Sequence, residues 1–264
     1  QVVAVVLAHD EERHIGECLD SLAWADERLV VDDFSTDRTA EIARDREAMV
    51  VQHALENFSA QRNRALSMAG AEWVLFVDAD ERVTPELAAE VRQVVAYEDD
   101  RARNGWWIPR HNYMLGHRMR GGGWYPDHQL RLLRRGKARY DPARPVHEVV
   151  ILEGEAGTLQ NPFIHYNYDT VAQFRQKVGH YTGYEAQILH QQGVRLRPWT
   201  TLLMPVREFW RRFVTLRGYR DHVYGLLFCG LMGWYTFVTY RRLGQLRRTP
   251  LPPMRGDDRR WPSG

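Results

Sequence analysis

The first hundred residues alternate short apolar runs of β character with stretches whose apolar residues recur at helical spacing. The runs Val2–Leu7, Arg28–Asp32, Met49–Gln52 and Trp73–Asp78 are separated by Glu11–Trp24, Thr36–Arg46 and Gln61–Met68. Ile15, Leu19 and Leu22 keep the three-to-four-residue period of one helix face. Repetition of strand, helix and strand predicts an α/β fold with parallel strands covered on both faces. A further helix is predicted to open at Thr84, an N-cap followed by Pro85 at the first helical position, and to run to about Tyr97.

In such a sheet, ligands collect beyond the carboxyl ends of the strands. Three of these four ends are acidic: His9, Asp10, Glu11 and Glu12 follow the first run, Asp32 and Asp33 close the second, and Asp78, Asp80 and Glu81 close the fourth. A dinucleotide site would need a Gly-x-Gly-x-x-Gly turn after the first strand, so that bare backbone could approach a pyrophosphate. Acids stand there instead. Carboxylates facing a diphosphate repel it unless a divalent cation lies between them, and Mg²⁺ or Mn²⁺ takes one or two carboxylates plus phosphate oxygens. Asp78 and Asp80 are two apart, which in extended backbone sends both side chains to one side. The plainer alternative is a solvated acidic turn before a helix, where negative charge is favourable anyway.

Composition removes several classes. The 264 residues carry 36 basic against 34 acidic side chains, a net charge of +2, so no global field points to nucleic acid. The length allows one substantial core, or one core and a small appendage. Cys18 and Cys229 are far apart and have no metal-ligand spacing, which reads as a reducing compartment without a disulfide framework. The opening residues lack a basic segment followed by an apolar stretch and a cleavage site. The expectation is therefore a chain that is not exported, with a processed start in place of the initiator Met.

The segments "VVLAHDEERHIGECLDSL", "LVVDDFSTDRTAEIA", "FSAQRNRAL" and "WVLFVDADERVTPEL" resemble the successive motifs of the inverting family-2 glycosyltransferases. The later "GGGWYPDHQLRLLRRGKARY" and "VHE" resemble the bacterial branch that includes lipopolysaccharide core glucosyltransferases. The likeness spans about Val2–Glu148, and its order and spacing are more specific than any single Asp-x-Asp. It implies a nucleotide-sugar-binding, Rossmann-like mixed sheet flanked by helices (GT-A type), a UDP-hexose or similar donor, bound Mg²⁺ or Mn²⁺, and inversion at the anomeric carbon. By the same resemblance Asp10, Glu11, Asp32, Asp33, Arg62 and Asp78 bind the nucleotide, with Asn63 beside Arg62, and Asp80 binds the metal. Family members commonly carry Asn where this chain has Asp10. Arg62 and Arg64 could instead lie on a solvated helix face, and Asp32 could cap the helix near Thr36.

Inverting transfer needs a base for the acceptor hydroxyl. The candidates are Asp127, in "WYPDHQ", and the pair His147 and Glu148, with Glu148 the main rival to Asp127; His147 could instead be a metal ligand, since neutral imidazole accepts that role. Asp127 follows Pro126 and could be no more than a turn residue. The "RGGGWYPD" stretch reads as a mobile acceptor loop whose Trp124 and Tyr125 could stack on a sugar. Arg131, Arg134 and Arg135 could hold phosphates or form an exposed edge.

The character changes after Asn161. The expected division is a catalytic domain over residues 1–165, a helical membrane-associating and acceptor region over 166–248, and a disordered tail over 249–264. Thr170–Gln191 reads as helix. Trp199, Leu202, Leu203, Val206, Phe209, Trp210 and Phe213 recur near helical spacing among Arg207, Arg211 and Arg212, the pattern of a helix lying in an anionic membrane surface. Val223–Tyr240 is uncharged and long enough to span a bilayer, yet its three glycines favour an in-plane or re-entrant hairpin. A helix buried against the catalytic domain is the alternative. Together these features predict a glycosyltransferase at the cytoplasmic face of the inner membrane, acting on a glycolipid acceptor such as lipopolysaccharide core. A polyprenyl-phosphate glycosyltransferase, or a nucleotidyltransferase or nucleotide-sugar-binding protein on the same fold, is the competing reading. Deleting residues after Pro198 is expected to release a soluble core if that core folds without the helices.

Overall fold

A computed structural model describes residues 1–55, 57–97, 103–142, 149–197 and 199–247. The chain opens as β1 (Val2–Ala8), α1 (Ile15–Ser21), β2 (Glu27–Asp32), α2 (Thr39–Asp45), β3 (Met49–Gln52), α3 (Phe58–Met68) and β4 (Trp73–Asp78). These four strands are parallel neighbours in the order β3-β2-β1-β4, as the apolar runs predict. Next come β5 (Glu81–Val83), α4 (Pro85–Ala96), β6 (Arg103–Met114), β7 (His117–Arg118) and β8 (Asp127–Arg134). The pairing turns antiparallel where β8 joins β4, with Leu75 opposite Leu132, so the sheet is mixed. β9 (Ala138–Tyr140) and β10 (Val150–Leu152) form a separate ribbon, and β11 (Glu155–Thr158) and β12 (Phe163–Tyr168) return to the main sheet. The whole order is β3-β2-β1-β4-β8-β6-β12-β5, with β7 and β11 on β6.

Residue alternation along β1 explains why helices must cover both faces. Val2, Ala4, Val6 and Ala8 point into a core with Ile15, Cys18, Leu19 and Leu22 of the α1 segment and Leu87 and Val91 of α4. Val3 and Val5 point the other way, to Ala65 and Leu66 of α3 and to Phe76 and Tyr140. A strand buried on both faces needs an unbroken apolar run, and "VVAVVLA" supplies one. α4 begins as expected: the Thr84 hydroxyl accepts from Leu87 N at 3.1 Å, ahead of Pro85. α1 is shorter than its periodic stretch, because residues up to His14 form turns that carry the β1 carboxyl end.

Packing separates two compact units. The first comprises Gln1–His111 and His128–His165. The second takes in Asn112–Asp127 and the described residues from Tyr166 onward. It contains α5 (Val171–Gln191), α6 (Thr200–Trp210), a π-helical turn at Arg211–Thr215, a 3-10 turn at Gly218–Asp221 and α7 (His222–Leu246). Thr170 and Gln173 form a reciprocal capping box at the start of α5. Met114, Met119, Phe174, Val178 and Phe228 make the core of this unit. Both cysteines are buried and unbridged.

Candidate active site

The turns after β1 and β2 are tied to each other. Asp10 has φ +53°, a left-handed conformation that Asp and Asn tolerate better than other side chains. Its carboxylate accepts from Thr36 N at 2.6 Å and Asp37 N at 3.3 Å, while its own N–H donates to Ser35 Oγ at 3.0 Å. Asn could meet the same backbone and hydrogen-bond demands, which is a physical reason why Asp is acceptable at this position. Glu11 N donates to Thr39 Oγ1 at 2.7 Å and Glu12 N to Asp37 at 3.0 Å, completing the lacing.

Asp32 is fully buried. Its oxygens accept from Ser35 N at 3.2 Å, Ser35 Oγ at 2.5 Å and Gln52 Nε2 at 3.1 Å. It caps no helix: α2 starts later, at Thr39, and makes no side-chain cap bond. A carboxylate offers about four acceptor sites, and these three bonds leave about one, on Oδ2, for a further donor. Asp33 accepts from Leu55 N at 2.8 Å, and its carbonyl lies 2.8 Å from His9 Nδ1.

The end of β4 concentrates charge. Asp78 pairs with Arg62 of α3 at 3.2 Å on one oxygen and with Arg131 of β8 on the other. Arg62 is only 6% exposed and lies over the rings of Phe76 and Tyr140 at 5.3 and 5.5 Å, so it is not on a solvated helix face. Burial raises the Asp78 pKa, but the guanidiniums of Arg131 and Arg62 outweigh it and hold the carboxyl well below the usual carboxylate range. Asn63 clamps Tyr140: its Nδ2 donates to the Tyr140 carbonyl at 2.9 Å, and Tyr140 N donates to its Oδ1 at 2.7 Å.

A turn at Ala79–Asp80 follows at once, so Asp78 and Asp80 do not share extended backbone. Asp80 instead meets His165 of β12, with Nε2 3.3 Å from Oδ2. The register explains this meeting: His165 stands opposite Glu81 in the antiparallel β12–β5 pair. Glu81, fully buried, accepts from Asp78 N at 2.9 Å and from Arg110 at 3.2 Å. Arg82 donates to the carbonyls of Ala79 and Glu81 at 2.8 and 2.9 Å and pairs with Glu17 at 3.2 Å, fixing the turn that carries Asp80.

Among the described residues no three His, Cys, Asp or Glu side chains gather as a closed metal cage. A divalent cation such as Mg²⁺ or Mn²⁺ bound with a diphosphate needs only one or two protein donors beside phosphate oxygens and water. Asp80 and His165 fit this demand, whereas Asp78 is committed to its arginines. His147 and Glu148 lie outside the described residues. Sequence patterning alone does not reach His165; the one signal it offers is a place in a short β-type run able to pair beside the acidic turn.

In the second unit, Asp127 opens β8. Asn112 Nδ2 donates to its Oδ2 at 3.1 Å and to the Trp124 carbonyl at 2.7 Å. The glycine-rich loop ahead of it is pinned rather than mobile. Asp221, fully buried, accepts from Arg120 N at 2.9 Å, Gly121 N at 2.8 Å and His117 Nε2 at 3.2 Å. Gly122 N donates to the Leu216 carbonyl at 2.7 Å, and Arg212 donates to the Gly122 carbonyl at 2.8 Å and lies over Trp124. A Cβ on Gly121 would stand 2.2 Å from the Arg217 carbonyl oxygen, so this glycine serves close packing.

These features agree with comparisons to known proteins. The model for glycosyl transferase family 2 matches residues 3–149. The lipopolysaccharide core biosynthesis glycosyltransferase LpsC of Rhizobium meliloti (strain 1021) is 27% identical over 256 residues, covering 92% of this chain and 91% of LpsC. Glycosyltransferase RT0209 of Rickettsia typhi is 24% identical, over 95% of this chain and 88% of its own. Among solved structures, S. aureus TarS 1-349 in complex with UDP aligns at a TM-score of 0.48 and 17% identity, covering 92% of this chain and 91% of that one. With more than half of its length matched by the family model, and with the mixed sheet and acidic strand ends described above, this chain belongs to glycosyl transferase family 2 and is a glycosyltransferase.

Proposed function

We propose that this enzyme transfers a hexose, with inversion, from a UDP-sugar to a membrane glycolipid such as lipopolysaccharide core, at the cytoplasmic face of the inner membrane. The observation that carries the reading is the β4 carboxyl end, where Asp78 is held by Arg62 and Arg131 while Asp80 stands with His165. The acceptor class is supported by the likeness to LpsC over nearly the whole of both chains. The donor follows from the family resemblance.

Asp10, Glu11, Asp32 and Asp33 shape the nucleoside end of the donor site, and Arg62 and Asp78 its ribose-diphosphate end. Asp80 and His165 would hold Mg²⁺ or Mn²⁺, and the cation would supply positive charge against the leaving diphosphate. Asp127 takes the proton of the acceptor hydroxyl as that oxygen bonds to the anomeric carbon and the bond from carbon to the diphosphate oxygen breaks. Asn112 orients the Asp127 carboxylate through Oδ2. Glu148 is the competing base and His147 a further candidate ligand. Residues 166–248 supply the acceptor and membrane side.

Calorimetry of UDP binding tests the donor half of this reading. Affinity is expected with Mg²⁺ or Mn²⁺ and lost in EDTA, and metal-independent UDP binding would refute the metal role. Transfer to extracted lipopolysaccharide core, compared with polyprenyl phosphate, tests the acceptor half.

A further inference from the structure

α6 buries none of its residues. Trp199 at its N-cap, then Leu202, Leu203, Val206 and Trp210, follow one another at intervals of three, one, three and four, which places them along one helix face. Leu202, Val206 and Trp210 are 67%, 64% and 63% exposed. α7 continues the pattern in its first half, with Val223, Leu226, Leu227 and Trp234 exposed, while Phe228, Cys229 and Gly233 turn inward. Scattered exposed apolar side chains need no explanation, but two helix faces of them in one unit call for a covering partner.

Charge identifies that partner. Between residues 193 and 247 the chain has ten arginines, no lysine and two acids. Eight of the arginines are exposed: Arg195, Arg197, Arg207, Arg211, Arg217, Arg220, Arg241 and Arg247. Neither acid offsets them at the surface in equal measure, since Glu208 is engaged by Arg211 and Arg212 and Asp221 is buried beneath Arg120 and Gly121. A two-fold dimer through this face would set a strongly basic surface against itself. An anionic bilayer satisfies both features, taking the aliphatic and indole groups below its head groups and the guanidiniums among the phosphates.

The same unit argues against α7 crossing the bilayer. The span Gly218–Leu246 is long and apolar enough by composition. However, α5 packs along α7 through Phe174 and Val178 near its start and Ala186 near its end, and α5 carries Arg175, Glu185, Gln187 and His190. Arg175 lies over Trp234, and Arg242 of α7 donates to the Gly179 carbonyl. Burying α7 in hydrocarbon would bury those α5 side chains with it, at a cost of about 2.5–3.5 kcal/mol for each charge at mid-bilayer depth.

We propose that α6 and the first half of α7 form a docking face for an anionic membrane surface, on which the enzyme lies in plane with Leu202, Val206, Trp199 and Trp210 inserted at head-group depth. This rests on the membrane-acceptor reading above but not on its chemistry. The test is flotation of the full chain with vesicles of phosphatidylcholine alone or with added phosphatidylglycerol. Co-flotation with the anionic vesicles, weakened by salt and lost in the double variant Leu202→Asp, Val206→Asp, is expected. Both sites are exposed, so UDP affinity and the melting temperature of that variant should match the parent, which separates lost docking from misfolding. Quenching by lipids brominated near the head group should exceed quenching by lipids brominated near the chain end. Absence of flotation, equal flotation of the double variant, stronger deep quenching, or a dimer that the double variant dissolves would each overturn the proposal. Metal-dependent UDP binding measured in parallel leaves the glycosyl-transfer reading to be judged separately.

Discussion

Asp78 is under two opposed influences, burial that favours its neutral form and the guanidiniums of Arg131 and Arg62 that favour its anion, and the guanidiniums win. Because the folded-state pKa is depressed, the stabilisation is complete above the ordinary value of about 3.9 and is lost as pH falls from there through the folded-state value. Asp78→Asn leaves two buried arginines facing a neutral amide and is expected to cost about 3 kcal/mol near neutrality. Urea denaturation at a series of pH values checks both points, since the gap between parent and variant should narrow on acidification. Asp80→Ala and His165→Ala should act differently, weakening metal-dependent UDP binding by about tenfold or more; calorimetry at varied Mn²⁺ would show it. The acids of this cluster were legible because they close an apolar run. Their partners were not: Arg131 reaches Asp78 through the non-local β4–β8 pairing, and His165 reaches Asp80 through β12 beside β5.

The parallel strands β1 to β4 and α4 could be read almost to the residue, because local alternation and the Thr84–Pro85 cap specify them. The glycine-rich loop misled for the converse reason. Three consecutive glycines suggest freedom, but their conformations answer to residues about a hundred positions away: Asp221 holds Arg120 N and Gly121 N, and Leu216 and Arg212 hold Gly122. Asp221→Ala strips the buried acceptor from two backbone N–H groups and should destabilise the unit by roughly 2–3 kcal/mol. Limited proteolysis should then cut within Arg120–Trp124, where the parent resists. Gly225→Ala places a Cβ 1.8 Å from the Gly218 carbonyl oxygen, so α7 and the 3-10 turn have to part; a comparable or larger drop in melting temperature is expected. The same dependence revises the expected effect of truncation. Removing residues after Pro198 deletes Arg212, Leu216, Asp221 and Phe228 together and uncovers Met114, Met119 and Phe174. The product should aggregate or lose protection in the 117–124 loop, measurable by hydrogen exchange, rather than emerge as an intact soluble core.

For the molecule as a catalyst, the chemistry turns on which carboxylate accepts the acceptor's proton. Asp127 has a defined setting, at the head of β8, with Asn112 bridging its Oδ2 to the Trp124 carbonyl and with the loop before it fixed by the C-terminal helices. A carboxylate held in this way would gain as a base by orientation, because proton transfer requires its lone pair on the hydroxyl as the oxygen attacks. Asp127→Asn preserves the size of the group but removes most of its basicity. Donor affinity should survive, while turnover falls by about 10²–10⁴-fold, the usual contribution of a general base. Asn112→Ala should give a smaller loss of turnover at unchanged UDP affinity, since it disturbs the orientation of the carboxylate and not its identity. Glu148→Gln is the matched comparison. Near-normal turnover in Asp127→Asn with collapse in Glu148→Gln would transfer the role to Glu148 and leave Asp127 as the residue that ends the glycine-rich turn.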